Sequence, residues 1–259
     1  MHKLIDTHAH LDELEHLDEA IEKAKSFGVT AIAAVGSDYE SNNRVLEIAA
    51  RYSPYIYPAL GLHPSRLGTD EEIQRTLRFV EDNINSISAV GEIGLDYHKR
   101  VLGLADKERQ KGALRDVLGL ARRYGKPALM HTRYAWRDSL TLVAESRVVN
   151  VVFHWFTGPS KVLVDLLDAG YHVSATPAAG YHAEHIRIVK ETPLERLLLE
   201  TDSPVVYRMG TELGRESEPA DVIKTLVHVA SIKQVDPEIV ARTTTENALW
   251  FYGTAPSDM

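Results

Sequence analysis

The chain of 259 residues contains no cysteine, so disulfides and thiolate metal sites are both excluded. No apolar run approaches the ~20 residues needed to cross a bilayer. No basic region leads into an apolar stretch at the N-terminus, so no secretory signal is visible and a cytoplasmic location is expected. The formal charge of −8 opposes a broad electrostatic grip on nucleic acid, which needs a basic face, but permits an enzyme that holds one or two phosphates locally. No Pro/Ser-rich linker, charge block or low-complexity segment divides the chain. Gly-x-Gly-x-x-Gly, P-loop and Gly-x-Ser-x-Gly patterns are absent, which leaves dinucleotide, nucleoside triphosphate and serine-hydrolase chemistry without support.

What is present is an alternation of short apolar runs and amphipathic stretches. The runs around Lys3–Thr7, Thr30–Val35, Tyr55–Leu60, Ile87–Glu92, Ala128–His131, Asn150–His154, Tyr171–Ala175 and Leu197–Thr201 read as buried strands. Helical spacing follows at Leu17–Phe27, Tyr39–Tyr52, Asp70–Ile84, Lys107–Tyr124, Tyr134–Glu145, Ser160–Asp168, Ala183–Lys190 and Pro219–Ala230. Eight such units in this length predict a (β/α)₈ TIM-type barrel, one domain over residues 1–259, with an open doubly wound sheet as the alternative. Pro237–Tyr252 reads as a final helix, and residues 254–259 as a frayed tail.

Five of the apolar runs end in residues that ligate divalent cations: His8 and His10, Glu92, His131, His154 and Asp202. In a parallel barrel the downstream strand ends share one mouth, so these side chains are expected to converge there. Imidazole with carboxylate suits Zn²⁺, Mn²⁺ or Fe²⁺, and carboxylate-rich sites also take Mg²⁺. Four histidines and two carboxylates exceed the needs of one open catalytic ion, which points to a pair of cations sharing a carboxylate. Taken singly, each residue has a plainer explanation. His131 or His154 alone fits a hydrogen-bonded core histidine, and Asp202 before Ser203-Pro204 fits a turn cap.

The motifs Asp6-Thr-His-Ala-His10, Gly61-Leu-His-Pro64, Gly91-Glu-Ile-Gly-Leu-Asp-Tyr97, His131-Thr-Arg133, His154-x-Phe-Thr-Gly158 and Glu200-Thr-Asp-Ser-Pro204 resemble, in order, the signatures of the TatD-type metal-dependent deoxyribonucleases of the amidohydrolase superfamily. The resemblance runs from Asp6 to about Asn247. It implies that His8, His10 and Asp202 hold one ion, that His131 and His154 hold the other, and that Glu92 bridges them. It also implies Mg²⁺-, Mn²⁺- or Zn²⁺-dependent hydrolysis of DNA or a smaller phosphodiester, with no membrane and no obligate protein partner. Asp202 is then the general base for the attacking water, while His63 and Arg133 contact substrate phosphate. The competing readings are a turn histidine packed beside Pro64 for His63 and a structural ion pair for Arg133. Asp6 and Glu200 are placed to orient ligands from behind, and Asp96 and Tyr97 line the loop after Glu92. His2, His16, His98, His172, His182, His185 and His228 read as surface or packing residues.

The chain departs from the family pattern at Trp155, where Cys is frequent, at Thr176-Pro177, and at Trp250. Val205–Glu218 lacks the usual basic run ahead of Glu218-Pro219. Two other functions stay open at this point: hydrolysis of an ester, lactone or amide at the same site, and a non-enzymatic barrel that binds metal or a partner.

Overall fold

The computed structural model describes residues 2–212 and 214–253. Eight strands pair in chain order, all in parallel: β1 (Leu4–Ala9), β2 (Val29–Val35), β3 (Ile56–Leu62), β4 (Ala89–Asp96), β5 (Ala128–Arg133), β6 (Val151–Phe153), β7 (His172–Ala175) and β8 (Leu197–Leu199). The ring is closed between β1 and the segment after β8. Ala9 and Ser203 form a parallel bridge. The Asp202 N–H donates to the His8 carbonyl at 2.9 Å, and the Thr7 hydroxyl donates to the Leu199 carbonyl at 2.9 Å. The (β/α)₈ expectation therefore holds over the open-sheet alternative.

Helices cover the outside: α1 (Leu17–Ser26), α2 (Tyr39–Arg51), α3 (Asp70–Asp82), α4 (Lys99–Leu102), α5 (Lys107–Tyr124), α6 (Trp136–Ser146), α7 (Ser160–Asp168), α8 (Ala183–Glu191), α9 (Val222–Lys233) and α10 (Pro237–Tyr252). Their starts and stops follow local chemistry. Thr69 and Glu72 form a reciprocal capping box on α3, and Gly125 ends α5 in the left-handed conformation at φ 65°. Among the described residues, no helix is long and apolar enough to cross a membrane.

Three local differences from the sequence expectation stand out. Strand β4 runs on to Asp96, and the short α4 follows it. The expected helix from Pro219 begins as a 3-10 turn over Pro219–Asp221 and becomes α-helical only at Val222. Within Val205–Glu218, β9 (Val206–Tyr207) and β10 (Arg215–Glu216) form a small antiparallel hairpin. The fraying expected over residues 254–259 lies outside the described residues.

The core has two layers. A large outer cluster lies between strands and helices. An inner cluster joins Ile5, Ala31, Ala89, Leu129, Val152 and Leu198, drawn from strands across the barrel, with Phe251 and Tyr252 of α10 packed against it. These inward positions set the parity of each strand. Two-residue steps lead from Leu129 to His131, from Val152 to His154, and from Leu198 through Glu200 to Asp202. The same steps from Ile5 and Ala89 reach Thr7 and Gly91, not His8 and Glu92. Pairing register shifts between Asp6 and Ala9 in β1 and between Val90 and Ile93 in β4, and these irregularities turn His8 and Glu92 inward.

Candidate metal centre

Glu92 stands at the middle of the mouth. Its Oε2 lies 3.7 Å from His8 Nε2 and 3.5 Å from His10 Nε2. Its Oε1 lies 2.6 Å from His154 Nε2 and 2.9 Å from His131 Nδ1. Asp202 Oδ1 completes the first side, 3.5 Å from His8 Nε2 and 3.6 Å from His10 Nε2. All six expected ligands therefore fall in one cluster, with Asp202 beside the two β1 histidines. The Gly91–Gly94 segment that carries Glu92 passes too close to β5 for side chains. A Cβ on Gly91 would sit 2.4 Å from Leu129 Cβ, and one on Gly94 would sit 1.9 Å from the His131 carbonyl oxygen.

The donors fit a divalent cation. His8 is buried, and neither of its ring nitrogens has a hydrogen-bond partner. An unpartnered buried polar group costs ~1–3 kcal/mol, a cost that a coordinated cation removes. The separations of 3.5–3.7 Å on the His8, His10 and Asp202 side match the edge of a tetrahedron, which is about 3.4 Å for bonds of ~2.1 Å. His8, His10 and Glu92 form one group with ligand atoms close enough to hold an ion; His63, Glu92 and His131 form another, and His8, His154, Glu200 and Asp202 a third.

Other carboxylates aim the rings. Glu200 Oε2 lies 3.4 Å from His154 Nδ1, while its Oε1 accepts from the Trp155 N–H at 3.0 Å and from the Ser174 hydroxyl. Asp96 Oδ2 faces His131 Nε2 at 3.3 Å, and its Oδ1 accepts from the His98 N–H at 2.7 Å. These contacts present Nε2 of His154 and Nδ1 of His131 to Glu92. Asp6 serves the other side: it accepts from the Thr201 hydroxyl at 2.6 Å and the Thr201 N–H at 3.0 Å, tying β1 to the Asp202 segment. Sequence reading placed Asp6 and Glu200 behind ligands but gave Asp96 no such task. The signal for it was Asp96 lying four residues beyond Glu92 on the same glycine-rich strand.

The cluster's charges are strongly coupled. Burial pulls His10 down, but Glu92 and Asp202 outweigh it and raise its pKa to about 9. His154 is likewise pulled down by burial yet driven well above the usual range by Glu92 and Glu200. Burial pushes Glu92 up, and the surrounding histidines return it well below the carboxylate range. The field that collects these protons also attracts a divalent cation, which would displace them.

His63 and Arg133 take different positions. His63 Nδ1 accepts from the Ser65 N–H at 3.1 Å, so its Nε2 carries the proton and points to Glu92 Oε1 at 3.9 Å. Burial, with the charges of His131 and His10, depresses its pKa to about 3, so the ring is a neutral donor. Arg133 ends β5 on the rim, exposed, its guanidinium 5.7 Å from the Tyr134 ring centre. Among the described residues no carboxylate lies within ion-pair distance of it, and its charge helps to hold Asp96 below the usual carboxylate range. Both residues line a cavity of about 660 Å³ that opens over Glu92, together with Trp136, Trp155 and Met209. Tyr134, Trp155 and Asp202 hold positive φ values of 58°, 40° and 49°, a strain concentrated at this mouth. Of the histidines read as surface or packing residues, His172 and His185 are buried in the packing.

A parallel eightfold barrel with imidazole and carboxylate donors gathered at its C-terminal mouth defines a metal-dependent hydrolase. The chain belongs to the TatD-related DNase family, whose sequence model matches residues 5–253. It is 32% identical over 258 residues to a human protein named deoxyribonuclease TATDN3, covering 95% of this chain and 93% of that one. To the metal-dependent hydrolase YabD of Bacillus subtilis it is 33% identical over 253 residues, covering 95% and 97%. The crystal structure of YjjV, a TatD homologue from Escherichia coli, superposes with a TM-score of 0.87 at 26% identity, covering 97% of this chain and 98% of that one.

Proposed function

We propose that the chain hydrolyses phosphodiester bonds of DNA, or of a smaller phosphodiester, at a site holding two divalent cations. The observation that carries this reading is the division of Glu92, with Oε2 facing His8 and His10 and Oε1 facing His131 and His154. His8, His10 and Asp202 would hold one cation and His131 and His154 the other, with Glu92 available to both; Mg²⁺, Mn²⁺ and Zn²⁺ all suit this donor set. Bound there, the cations supply positive charge that acidifies a water and polarises a phosphoryl oxygen.

The chain's own groups do the rest. Asp202 turns Oδ1 to the two β1 histidines, and its carboxylate takes the proton of the attacking water as general base. His63 donates its Nε2–H to a phosphoryl oxygen without adding charge of its own, because Ser65 fixes its tautomer. Arg133, which forms no ion pair with a carboxylate among the described residues, offers its planar fork to the same phosphate. Trp155 and Trp136 wall the site against water.

The test is a panel of labelled single- and double-stranded DNA, RNA, and ester, lactone and amide substrates, assayed with Mg²⁺, Mn²⁺ or Zn²⁺ and again with chelator. DNA cleavage that chelation abolishes and metal restores is the expected outcome. Turnover confined to esters, lactones or amides would overturn the phosphodiester reading while leaving the metal site in place. Inertness across the panel with metal bound would make the barrel a binding protein.

A further inference from the structure

Beside the mouth lies a second, smaller pocket of about 110 Å³, between the β9–β10 hairpin, the turn at Pro177 and the start of α9. Arg208, Arg215, Lys224 and His228 line it, with Asp221 as the one carboxylate. Three full positive charges against one negative are notable in a chain of net charge −8.

Asp221 acts as the organiser. It is buried, both of its oxygens accept from Arg215 Nη2 at 2.6 Å, and Lys224 Nζ stands 2.9 Å from Oδ1. Arg208 is not neutralised: its guanidinium lies 4.7 Å from the Tyr181 ring centre, and no carboxylate among the described residues pairs with it. Ser217 lines the same pocket at 2% exposure, and its hydroxyl has no hydrogen-bond partner. A buried hydroxyl without a partner beside surplus cations can donate to an anionic acceptor.

The pocket is coupled to the mouth through one short segment. Val205 and Met209 line the large cavity, and Tyr207 and Arg208 between them line the small pocket. The Tyr207 ring sits 5.4 Å from that of Trp155, which walls the mouth. The small pocket therefore adjoins the edge of the large cavity.

Resting on the phosphodiester reading, we propose that this pocket binds a second, non-scissile phosphate of the substrate, held by Arg208, Lys224 and the Ser217 hydroxyl, with Asp221 positioning Arg215 and Lys224. The phosphate is either a terminal monoester or the next internal diester. Both present anionic non-bridging oxygens, three on the monoester and two on the diester.

Two measurements test this. The first compares kcat/KM, with Mn²⁺, for bis(p-nitrophenyl) phosphate and the dinucleotide TpT, which have one phosphodiester each, against pTpT (terminal phosphate) and TpTpT (extra internal diester). The added phosphate should raise kcat/KM about tenfold, the scale of one charge-assisted contact. Arg208→Ala and Lys224→Met should erase that advantage and leave bis(p-nitrophenyl) phosphate and TpT unchanged. Whichever of pTpT and TpTpT carries the gain identifies the source of the phosphate. No gain in the parent protein, or an equal loss on all four substrates in both variants, overturns the proposal.

The second measurement does not depend on turnover. Inorganic phosphate is titrated into the metal-free protein and followed by amide chemical shifts. Saturable shifts at Ser217 and Lys224 that vanish in Arg208→Ala support the site; their absence overturns it. Failure to hydrolyse any phosphodiester while these shifts persist would instead remove the catalytic reading and leave an anion site.

Discussion

Glu92 Oε1 and His154 Nε2 lie 2.6 Å apart, and the far side of the same imidazole faces Glu200 Oε2 at 3.4 Å. His154 is thus clamped between two carboxylates, its ring stacked on His8 with centroids 4.0 Å apart. On the proposed function Glu200 positions His154 while Glu92 would ligate metal, so the two should fail differently. Glu200→Gln should lower metal affinity or turnover by ~10–100-fold, the usual cost of losing an outer-shell partner. Glu92→Ala should exceed that range and strip bound metal as well. Metal content and rate, measured on the same preparations, check the order; equal losses would mean that Glu200 also ligates.

Arg133→Ala should leave metal content intact and raise KM for phosphodiesters by about tenfold, because its proposed partner is substrate and not carboxylate. Loss of metal together with affinity would make Arg133 a structural residue.

Asp202→Asn separates binding from proton transfer. A carboxamide retains an oxygen that can coordinate but cannot take a proton from water. The variant should still bind metal, with lower affinity, and lose at least ~10² in turnover, as expected for removal of a general base. Full occupancy with near-parental turnover would assign the base elsewhere.

Two histidines outside the centre make acid sensitivity predictable. Burial, with the charge of Arg196, lowers His172 from its usual 6.5 to about 4. Burial, with the charges of His182 and His154, lowers His185 from 6.5 to about 4, where its Nε2 accepts from the Thr176 N–H at 3.0 Å. Both are neutral in the folded state and protonate more readily when unfolded. The unfolded chain therefore binds more protons between pH 6.5 and 4, and stability falls as pH drops through that window. Each can contribute up to ~1.4 kcal/mol per pH unit. Urea midpoints for His172→Gln and His185→Gln against pH should show a flatter acid limb than the parent; an unchanged slope would remove these groups from the linkage.

The alternation of apolar runs with helical spacing determined the barrel, because strands covered on both faces need both patterns and eight of each leave little other topology. The ligand types were legible for the same reason: imidazole and carboxylate have no reason to close five buried runs unless something at the strand ends binds them. Which way those side chains point was a tertiary decision. Simple alternation from Ile5 and Ala89 would have sent His8 and Glu92 outward, and only the register shifts of β1 and β4 against their neighbours turned them to the mouth. The pairing of Asp96 with His131, and of Asp221 with Arg215 and Lys224 beside the buried Ser217 hydroxyl, was equally out of reach. Hydrogen-bond partners depend on distances of a few ångströms between segments, and a linear pattern specifies faces and periods but not those distances.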